Sequence, residues 1–206
     1  MLNKFIYLNP HSIPPELCDE LIEHYYDVKD QHYDGVTRGG INKNIKDTTD
    51  FVIPFNAEPG SRWDKINRFL QKELHANLKS YLDDLKNIPE FSAKQNNGVD
   101  YRMFDFQYFT ESTFMMQKYE KQKGKYIYHN DFSLERDSHR VITYLWYLTD
   151  VEEGGETEVW HSLKIKPEKG KLLLFPSHFS VPHSGLMPIS SDKIIITGWL
   201  YHPNNK

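Results

Sequence analysis

The chain has 206 residues, with 25 Lys and Arg against 29 Asp and Glu and a formal net charge of -4. This length favours a single compact domain, and the mildly acidic balance argues against general binding to the phosphate backbone of nucleic acids. The one cysteine, Cys18, excludes a disulfide framework and a metal site built from several cysteines, so a bound metal would need histidine nitrogen and carboxylate oxygen.

Membrane association is also not expected. No apolar run approaches the roughly 18 residues that a membrane-spanning helix needs, and residues 1–15 lack the apolar stretch of a signal peptide. The sequence therefore predicts a cytoplasmic protein with neither a membrane partner nor a nucleic acid partner. Its 12 Phe, 13 Tyr and 4 Trp exclude a disordered chain and should supply much of the core.

The first part of the chain predicts two helices separated by a long polar segment. A short strand is predicted over residues 5–8, and an amphipathic helix begins after Ser12 and ends near Tyr26. Residues 28–50 are polar and contain three glycines, which indicates a loop; it is either a mobile lid over an active site or an ordinary surface loop. A second helix opens at Ser61, with an apolar stripe at helical spacing made of Trp63, Ile66, Phe69, Leu70, Leu74, Leu78, Tyr81 and Leu82.

From Val99 onward the apolar period changes to two residues, which is typical of β-strands. The predicted strands cover residues 99–109, 113–119, 126–132, 140–148, 162–165, 171–175, 181–186 and 193–201. Two helices followed by a series of short strands predict antiparallel sheets rather than a parallel sheet. We expect an α+β, mainly β fold: a sandwich, barrel or jelly roll with the helices packed against one outer face.

A histidine and a carboxylate lie two residues apart in a run that is typical of a strand. Side chains two apart in a strand project to the same side, so His129 and Asp131 would lie together. They would form half of a 2-His-1-carboxylate facial triad, the arrangement that binds iron(II) and leaves coordination positions open. Taken alone the pair favours a surface position on an edge strand, because His-x-Asp is a common tripeptide.

The third ligand of such a triad would have to come from a distant part of the sequence. His183 is the candidate because it opens a predicted strand after the apolar run 172–176, and His178 and His161 are competitors. Lys193 begins the next strand, where both faces are apolar enough to be buried. A buried lysine needs an anionic partner, either an acidic side chain or the carboxylate of a ligand, whereas a lysine at a strand start could also reach solvent.

Residues 99–199 resemble the iron(II)- and 2-oxoglutarate-dependent dioxygenases, and within them the prolyl 4-hydroxylase group. The resemblance rests on a set of motifs in the order of that family rather than on any single one. The matching positions are Tyr119, Gly124, Tyr126, His129, Asp131, the run 140–148, the run 153–157, Pro167, the run 170–175, the run 183–185, Lys193 and Trp199.

The resemblance implies a double-stranded β-helix, or jelly-roll, core over residues 99–202, supported by a helical region over residues 1–98, in one domain. It implies that the metal ligands and catalytic residues are His129, Asp131 and His183. It implies that Lys193, Tyr126 and Thr157 bind the distal carboxylate of 2-oxoglutarate. It also makes Arg140, near the active-site mouth, and Trp199, near the core, candidate substrate contacts, while an ordinary surface or ion-pair role for Arg140 stays open.

By the same resemblance, the cofactors would be Fe(II), 2-oxoglutarate as co-substrate and O2, with ascorbate only by analogy. The expected reaction hydroxylates a C–H bond and converts 2-oxoglutarate to succinate, with a peptidyl proline as the first candidate substrate. Two features depart from the family pattern, namely a longer basic turn over residues 120–123 and Tyr201, where some peptide-prolyl hydroxylases carry a histidine. Free amino acids or other small molecules therefore stay open as substrates, and so does a non-catalytic metal-binding jelly roll.

Overall fold

A computed structural model describes residues 2–89, 109–132, 134–135 and 138–203 of the chain. The strand predicted over residues 99–109 lies outside the described residues, apart from its last position. Two α-helices are present, α1 over Pro15–Asp27 and α2 over Arg62–Lys86, with short 3-10 turns over Leu2–Phe5 and Lys29–Gln31.

Both helices begin where the sequence predicts them. Helix α1 has a proline in its first turn, where the missing N–H costs nothing because that donor has no partner within the helix. Helix α2 is capped by Ser61, whose hydroxyl accepts a hydrogen bond from the Asp64 backbone N–H. None of the helices in the described part of the chain is long and apolar enough to cross a membrane.

Sixteen strands are assigned within the described residues. In chain order they are β1 Tyr7–Asn9, β2 Tyr33–Asp34, β3 Val36–Thr37, β4 Gly40–Ile41, β5 Lys46–Asp47, β6 Thr49–Val52, β7 Thr110–Glu111, β8 Met115–Tyr119, β9 Lys125–His129, β10 Leu134–Glu135, β11 Ser138–Tyr147, β12 Thr157–Val159, β13 Leu163–Ile165, β14 Leu172–Pro176, β15 His183–Gly185 and β16 Lys193–Pro203.

Two antiparallel sheets form the core. The larger has the order β1-β14-β11-β16-β8-β6-β2, with β10 beside β11 and β7 beside β16, and the smaller has the order β13-β12-β15-β9-β5. Strands β3 and β4 form a separate hairpin. The two sheets pack on each other as a double-stranded β-helix, which confirms the predicted jelly-roll, mainly β fold.

The large sheet buries both of its faces, because successive side chains of a strand alternate between them. One face packs on α1 and α2, and its strands contribute Tyr144, Trp146, Leu172, Leu174, Ile194 and Ile196 to that core. The other face packs against the small sheet and contributes Leu145, Tyr147, Leu173, Phe175 and Ile195. The helices therefore support the large sheet from outside, as predicted, and leave its inner face to line the space between the sheets.

A buried polar cluster fixes the helices to the large sheet. The Ser12 hydroxyl accepts a hydrogen bond from the Trp146 indole at 2.9 Å and donates one to Glu73 of α2 at 2.9 Å. Asn77 of α2 accepts a hydrogen bond from the Tyr7 hydroxyl at 3.0 Å. These partners satisfy polar groups that would otherwise be costly to bury.

The segment 28–50 differs from the predicted loop. It contains β2, the β3–β4 hairpin and β5, and the chain then continues into β6. Strand β5 pairs with β9 in the small sheet, while β6 pairs with β8 in the large sheet. The pattern failed here because strands of two residues are too short to show an alternation of apolar and polar side chains.

Strand bounds also differ in ways that affect the site. Strand β9 ends at His129, so Asp131 lies just after the strand rather than within it. The predicted strand 181–186 is shorter in the structure, β15 over His183–Gly185, and β12 over Thr157–Val159 was not predicted.

Leu74 tests the support that α2 gives to the large sheet. Its side chain is fully buried in the core between the helices and the sheet. We expect Leu74→Ala to lower the free energy of unfolding by about 2–5 kcal/mol, because it leaves a cavity. Urea unfolding followed by circular dichroism measures this, with the exposed Lys72→Ala as a matched control that should stay within about 0.5 kcal/mol of wild type. An equal effect of both substitutions would contradict this packing.

Candidate functional site

Strands β9 and β15 bring the predicted metal ligands together. They are neighbours in the small sheet, and His129 and His183 are directly opposite each other in the register. Asp131 follows β9 by two residues, and its carboxylate reaches both imidazoles. One ligand atom from each of the three side chains lies within 4.8 Å of the others. Among the described residues, this is the only cluster of histidine, cysteine and acidic side chains found at such spacing.

The two imidazoles are oriented by the backbone. The Nδ1 of His129 lies 2.8 Å from the Ile127 carbonyl, and the Nδ1 of His183 lies 3.1 Å from the Val181 carbonyl. Their Nε2 atoms instead face Asp131, at 3.6 Å from Oδ1 and 3.5 Å from Oδ2 respectively. Because each Nδ1 is placed to donate its proton to a carbonyl, the Nε2 lone pairs are available to a metal ion.

The competing histidines lie elsewhere. The exposed His161 stacks on Tyr128, with ring centroids 3.6 Å apart. His178 is exposed, and its Nδ1 lies 3.1 Å from the Ser180 hydroxyl. Neither belongs to the cluster of His129, Asp131 and His183.

Asp131 is held by a polar pair on the large sheet. The Thr143 hydroxyl of β11 donates a hydrogen bond to Asp131 Oδ2 at 2.8 Å and lies 2.8 Å from the Ser177 hydroxyl. Thr143 and Ser177 are both buried. This outer pair fixes the carboxylate that both histidines face, as partners of metal ligands commonly do.

The three side chains of the cluster affect one another's pKa values. Burial alone would raise the pKa of Asp131, but the neighbouring imidazoles of His183 and His129 hold it well below its usual range. Burial opposes the charged form of His183, yet the Asp131 carboxylate raises the pKa of His183. Burial lowers the pKa of His129. The site therefore keeps an ionised carboxylate between two imidazoles, one of them biased toward neutrality, which is a donor set suited to a divalent cation.

A cavity of about 550 Å³ opens beside the cluster, between the two sheets. Lys193, Ile195, Thr197 and Trp199 all line it, so the predicted alternation along β16 is correct. The side chain of Lys193 is almost fully buried, with 1% of the residue exposed. A cation enclosed in this way is available to an anion that enters the cavity.

Lys193 is held between a carbonyl and an aromatic ring. Its ammonium donates a hydrogen bond to the Gly155 carbonyl at 2.8 Å and lies 3.9 Å from the centroid of the Tyr119 ring. Gly154 and Gly155 both have positive φ angles, a conformation that glycine adopts without strain and that forms this turn. Burial lowers the pKa of Lys193 to about 7, an effect that Glu156 partly opposes.

Two further predicted co-substrate residues line the same cavity. Thr157 accepts a hydrogen bond from the Tyr147 hydroxyl at 2.7 Å, so its own proton is left for another acceptor. The Tyr126 ring stacks on His129, with ring centroids 3.5 Å apart and planes 14° apart. Tyr126 therefore contacts a predicted metal ligand directly, a role that the sequence did not suggest.

The predicted substrate residues Arg140 and Trp199 also line the cavity, on adjacent strands of the large sheet. The Arg140 guanidinium lies 3.7 Å from the centroid of the Trp199 ring, and its Nε lies 3.3 Å from the Tyr201 hydroxyl. The indole nitrogen of Trp199 is buried and has no hydrogen-bond partner among the described residues. Stacking thus fixes the guanidinium on the cavity wall.

Several residues of the cavity were not predicted from the sequence. Thr143 could have been found, because period-two alternation along β11 places it on the same face as Leu145. Lys46 and Asp50 gave no signal, since they lie in the polar segment that was predicted as a loop.

Comparisons with known proteins agree with this geometry. Residues 114–201 match the model of the 2OG-Fe(II) oxygenase superfamily. No curated protein sequence matches the chain. A prolyl-4-hydroxylase from Pseudomonas putida is similar in structure, with a TM-score of 0.65 and 16% identity over 95% of this chain and 91% of that one.

Two further solved structures share the fold. The viral collagen prolyl hydroxylase from Paramecium Bursaria Chlorella virus-1, in complex with 2OG, has a TM-score of 0.58 and 18% identity over 96% of each chain. A prolyl hydroxylase from Trichoplax adhaerens, in complex with a hypoxia inducible factor peptide fragment, has a TM-score of 0.69 and 18% identity over 97% of this chain and 84% of that one.

The family match covers the strands that carry the cluster and Lys193, and the structural matches cover nearly the whole chain with the double-stranded β-helix fold. A 2OG-Fe(II) oxygenase domain implies Fe(II), 2-oxoglutarate and O2 as cofactors, and the cluster of His129, Asp131 and His183 fits such a metal. Residues 114–201 thus match the 2OG-Fe(II) oxygenase superfamily, and the chain is similar in fold to prolyl hydroxylases, which together support an Fe(II)- and 2-oxoglutarate-dependent dioxygenase.

Proposed function

We propose that the protein hydroxylates a prolyl residue in a peptide and that His129, Asp131 and His183 hold the Fe(II). The observation that carries the metal assignment is the convergence of two Nε2 atoms and one carboxylate within 4.8 Å at the edge of the cavity. Fe(II) accepts this donor set on one face and keeps other positions open for ligands.

The residues present fit the metal and its co-substrate. When bound, Fe(II) activates O2 at the expense of 2-oxoglutarate, so that a substrate C–H becomes C–OH while 2-oxoglutarate becomes succinate and CO2. The protein contributes position rather than proton transfer. Asp131 supplies the anionic ligand, Thr143 holds it, and the two sheets enclose the reacting groups.

Lys193 is proposed to bind the distal carboxylate of 2-oxoglutarate, together with Thr157 and Tyr126. The ammonium of Lys193 has one protein hydrogen-bond acceptor, the Gly155 carbonyl, among the described residues, which leaves it able to donate to a carboxylate. The Thr157 hydroxyl has a proton to donate as well. A charged carboxylate buried between the sheets needs such donors, because an unpaired one would be very costly.

A peptide substrate is favoured by the rim of the cavity. Tyr33, Val36 and Phe132 line the cavity and are each at least 39% exposed, so apolar surface continues from the cavity onto the outside. An extended chain can cover such a surface on both sides of the reacting residue, whereas a free amino acid cannot. The Trichoplax adhaerens prolyl hydroxylase of the same fold was solved with a peptide.

Arg140 and Trp199 are proposed to contact the substrate, because they line the cavity as a stacked pair. The catalytic core is proposed to span residues 99–202, with residues 1–98 as its helical support. Use of ascorbate stays a prediction by family analogy.

The choice of His183 over His178 as the third ligand can be tested directly. We expect His183→Ala to abolish Fe(II)-dependent succinate formation, because only two ligands would be left, and Asp131→Ala to do the same. His178→Ala is the matched control and should keep the wild-type rate. Succinate release is measured by coupled assay, with folding checked by circular dichroism. A folded His183→Ala variant with wild-type turnover would contradict the assignment.

The depressed pKa of Lys193 predicts a pH dependence of 2-oxoglutarate binding. A pKa of about 7 means that Lys193 is mostly neutral above pH 7 and must take up a proton to pair with a carboxylate. Affinity should therefore fall as pH rises, by up to about tenfold per pH unit. Calorimetric titration with Mn(II) in place of Fe(II), at pH 7 and roughly two units higher, measures this.

Two variants separate this effect from other titrations. Lys193→Met should bind 2-oxoglutarate about ten- to hundredfold more weakly at pH 7, with a flatter pH dependence. Lys171 is a largely buried lysine that does not line the cavity, and Lys171→Met should behave as wild type. An unchanged pH dependence in Lys193→Met would exclude Lys193 as the carboxylate partner.

The substrate class is decided by product analysis. Incubation with Fe(II), 2-oxoglutarate and a library of proline-rich peptides should give peptides that gain one oxygen atom, detected by mass spectrometry and located on proline by fragmentation. The Asp131→Ala variant is the control and should give none. Oxygen gain by free proline or other small molecules, with no peptide modified, would contradict the peptide proposal while leaving the oxygenase chemistry intact.

A further inference from the structure

A buried ion pair lies in the wall of the cavity, apart from the residues that the proposed function uses for the metal. Lys46 Nζ is 2.7 Å from Asp50 Oδ2, and the two side chains are only 4% and 1% exposed. The Gln117 amide donates a second hydrogen bond to Asp50 Oδ2 at 3.3 Å. All three side chains line the cavity.

The ion pair joins the two sheets. Lys46 belongs to β5 of the small sheet, whereas Asp50 belongs to β6 and Gln117 to β8 of the large sheet. The chain therefore crosses from the small sheet to the large sheet between Lys46 and Asp50. The ion pair links the two sheets at this point, with the positive charge on the small sheet and the negative charge on the large sheet.

Stability alone does not account for a pair of this kind. Removing two opposite charges from water costs about as much as their attraction returns, so apolar side chains of similar size often stabilise a core equally well or better. This pair is also incompletely satisfied, since Asp50 Oδ1 is buried without a hydrogen-bond partner among the described residues. Because burying this ion pair costs free energy, its presence in the cavity wall indicates a role in the site.

The contacts of Lys46 lead to the metal cluster. Lys46 is directly opposite Tyr126 in the β5–β9 register, and its ammonium lies 5.6 Å from the centroid of the Tyr126 ring. The neighbouring Ile127 N–H donates to the Ile45 carbonyl at 2.9 Å, which fixes the two strands at this point. The Tyr126 ring in turn stacks on His129 at 3.5 Å.

We propose that the Lys46–Asp50 pair is a positioning device for the metal centre: Asp50 fixes Lys46, Lys46 holds the Tyr126 ring, and that ring sets the orientation of the His129 imidazole. This inference rests on the proposed function in one respect, namely that His129 is a metal ligand. The face of the imidazole is fixed by Tyr126, while its Nδ1 edge is fixed by the Ile127 carbonyl. Together the two contacts set the direction of Nε2.

The decisive variant is the double substitution Lys46→Met with Asp50→Leu, which removes both charges and keeps similar volume. Because the pair is buried, we expect this variant to unfold in urea at or above the wild-type midpoint. Its affinity for Co(II), measured anaerobically from the visible absorption of the bound metal, should nevertheless fall about ten- to hundredfold, the usual effect of losing an outer partner of a metal ligand. A stable double variant with wild-type Co(II) affinity would overturn the inference.

Tyr126 variants test whether the effect of the ion pair on Co(II) affinity depends on the Tyr126 ring. They also remain informative if the double variant folds poorly. Tyr126→Phe keeps the ring and should keep the wild-type Co(II) affinity, whereas Tyr126→Leu should lose affinity to the same extent as the Lys46 and Asp50 substitutions. Combining Tyr126→Leu with Lys46→Met should cause no further loss, because both changes remove the same contact. Fully additive losses would overturn the inference.

Two controls separate this inference from the proposed function. Lys166 and Glu152 form an exposed ion pair at 3.1 Å, and replacing them with Met and Leu should leave Co(II) affinity unchanged. His129→Ala should abolish Co(II) binding. If His129→Ala binds Co(II) as wild type does, the metal assignment itself is wrong; if it does not, and the Lys46 and Asp50 substitutions have no effect, only the positioning role is wrong.

Discussion

The register between β9 and β15 is the constraint on which the site depends. His129 and His183 lie directly opposite each other in this antiparallel pair, and Asp131 reaches back to both from just beyond the strand end. Because side chains alternate along a strand, a slip of one residue would turn one histidine to the opposite face of the sheet. The sheet order supports this register from both sides, since β12 pairs with β15 and β5 pairs with β9.

The large sheet serves a different purpose on each of its faces. Its outer face packs on the helices through a continuous apolar core. On that face, Ser12 anchors α2 by donating a hydrogen bond to Glu73. Its inner face carries polar side chains at the positions that the site needs, with Thr143 on Asp131 and Lys193 against the Tyr119 ring. Thr143 finds its partner, Asp131, just beyond the end of β9 of the small sheet, and Lys193 donates to the Gly155 carbonyl, so both of these buried polar groups are hydrogen-bonded. Because side chains alternate along each strand, those that pack on the helices and those that line the site lie on opposite faces of the same strands.

The sequence predicted which side chains lie together on the strands of the candidate site, but it predicted the structure of the segment before them poorly. The cluster and Lys193 lie on or beside strands long enough to show an alternating pattern, and their motifs occur in the order of a known family. Asp131 was expected within a strand but follows its end, since the pattern of apolar residues does not mark where hydrogen bonding stops. Lys46 and Asp50 could not be found, because an ion pair between two-residue strands of different sheets depends on the three-dimensional path of the chain.

Two parts of the chain contribute different groups to the cavity. Strands β8 to β16 hold the proposed metal ligands and the proposed co-substrate residues, and these strands lie within or close to the segment that matches the superfamily. Residues 33–50 instead supply the opposite wall and part of the rim, including the exposed Tyr33 and Val36. The Lys46–Asp50 pair joins this segment to both sheets, and Lys46 lies against the Tyr126 ring that stacks on His129. The part of the cavity that is proposed to meet the substrate is therefore continuous with the part that is proposed to hold the metal.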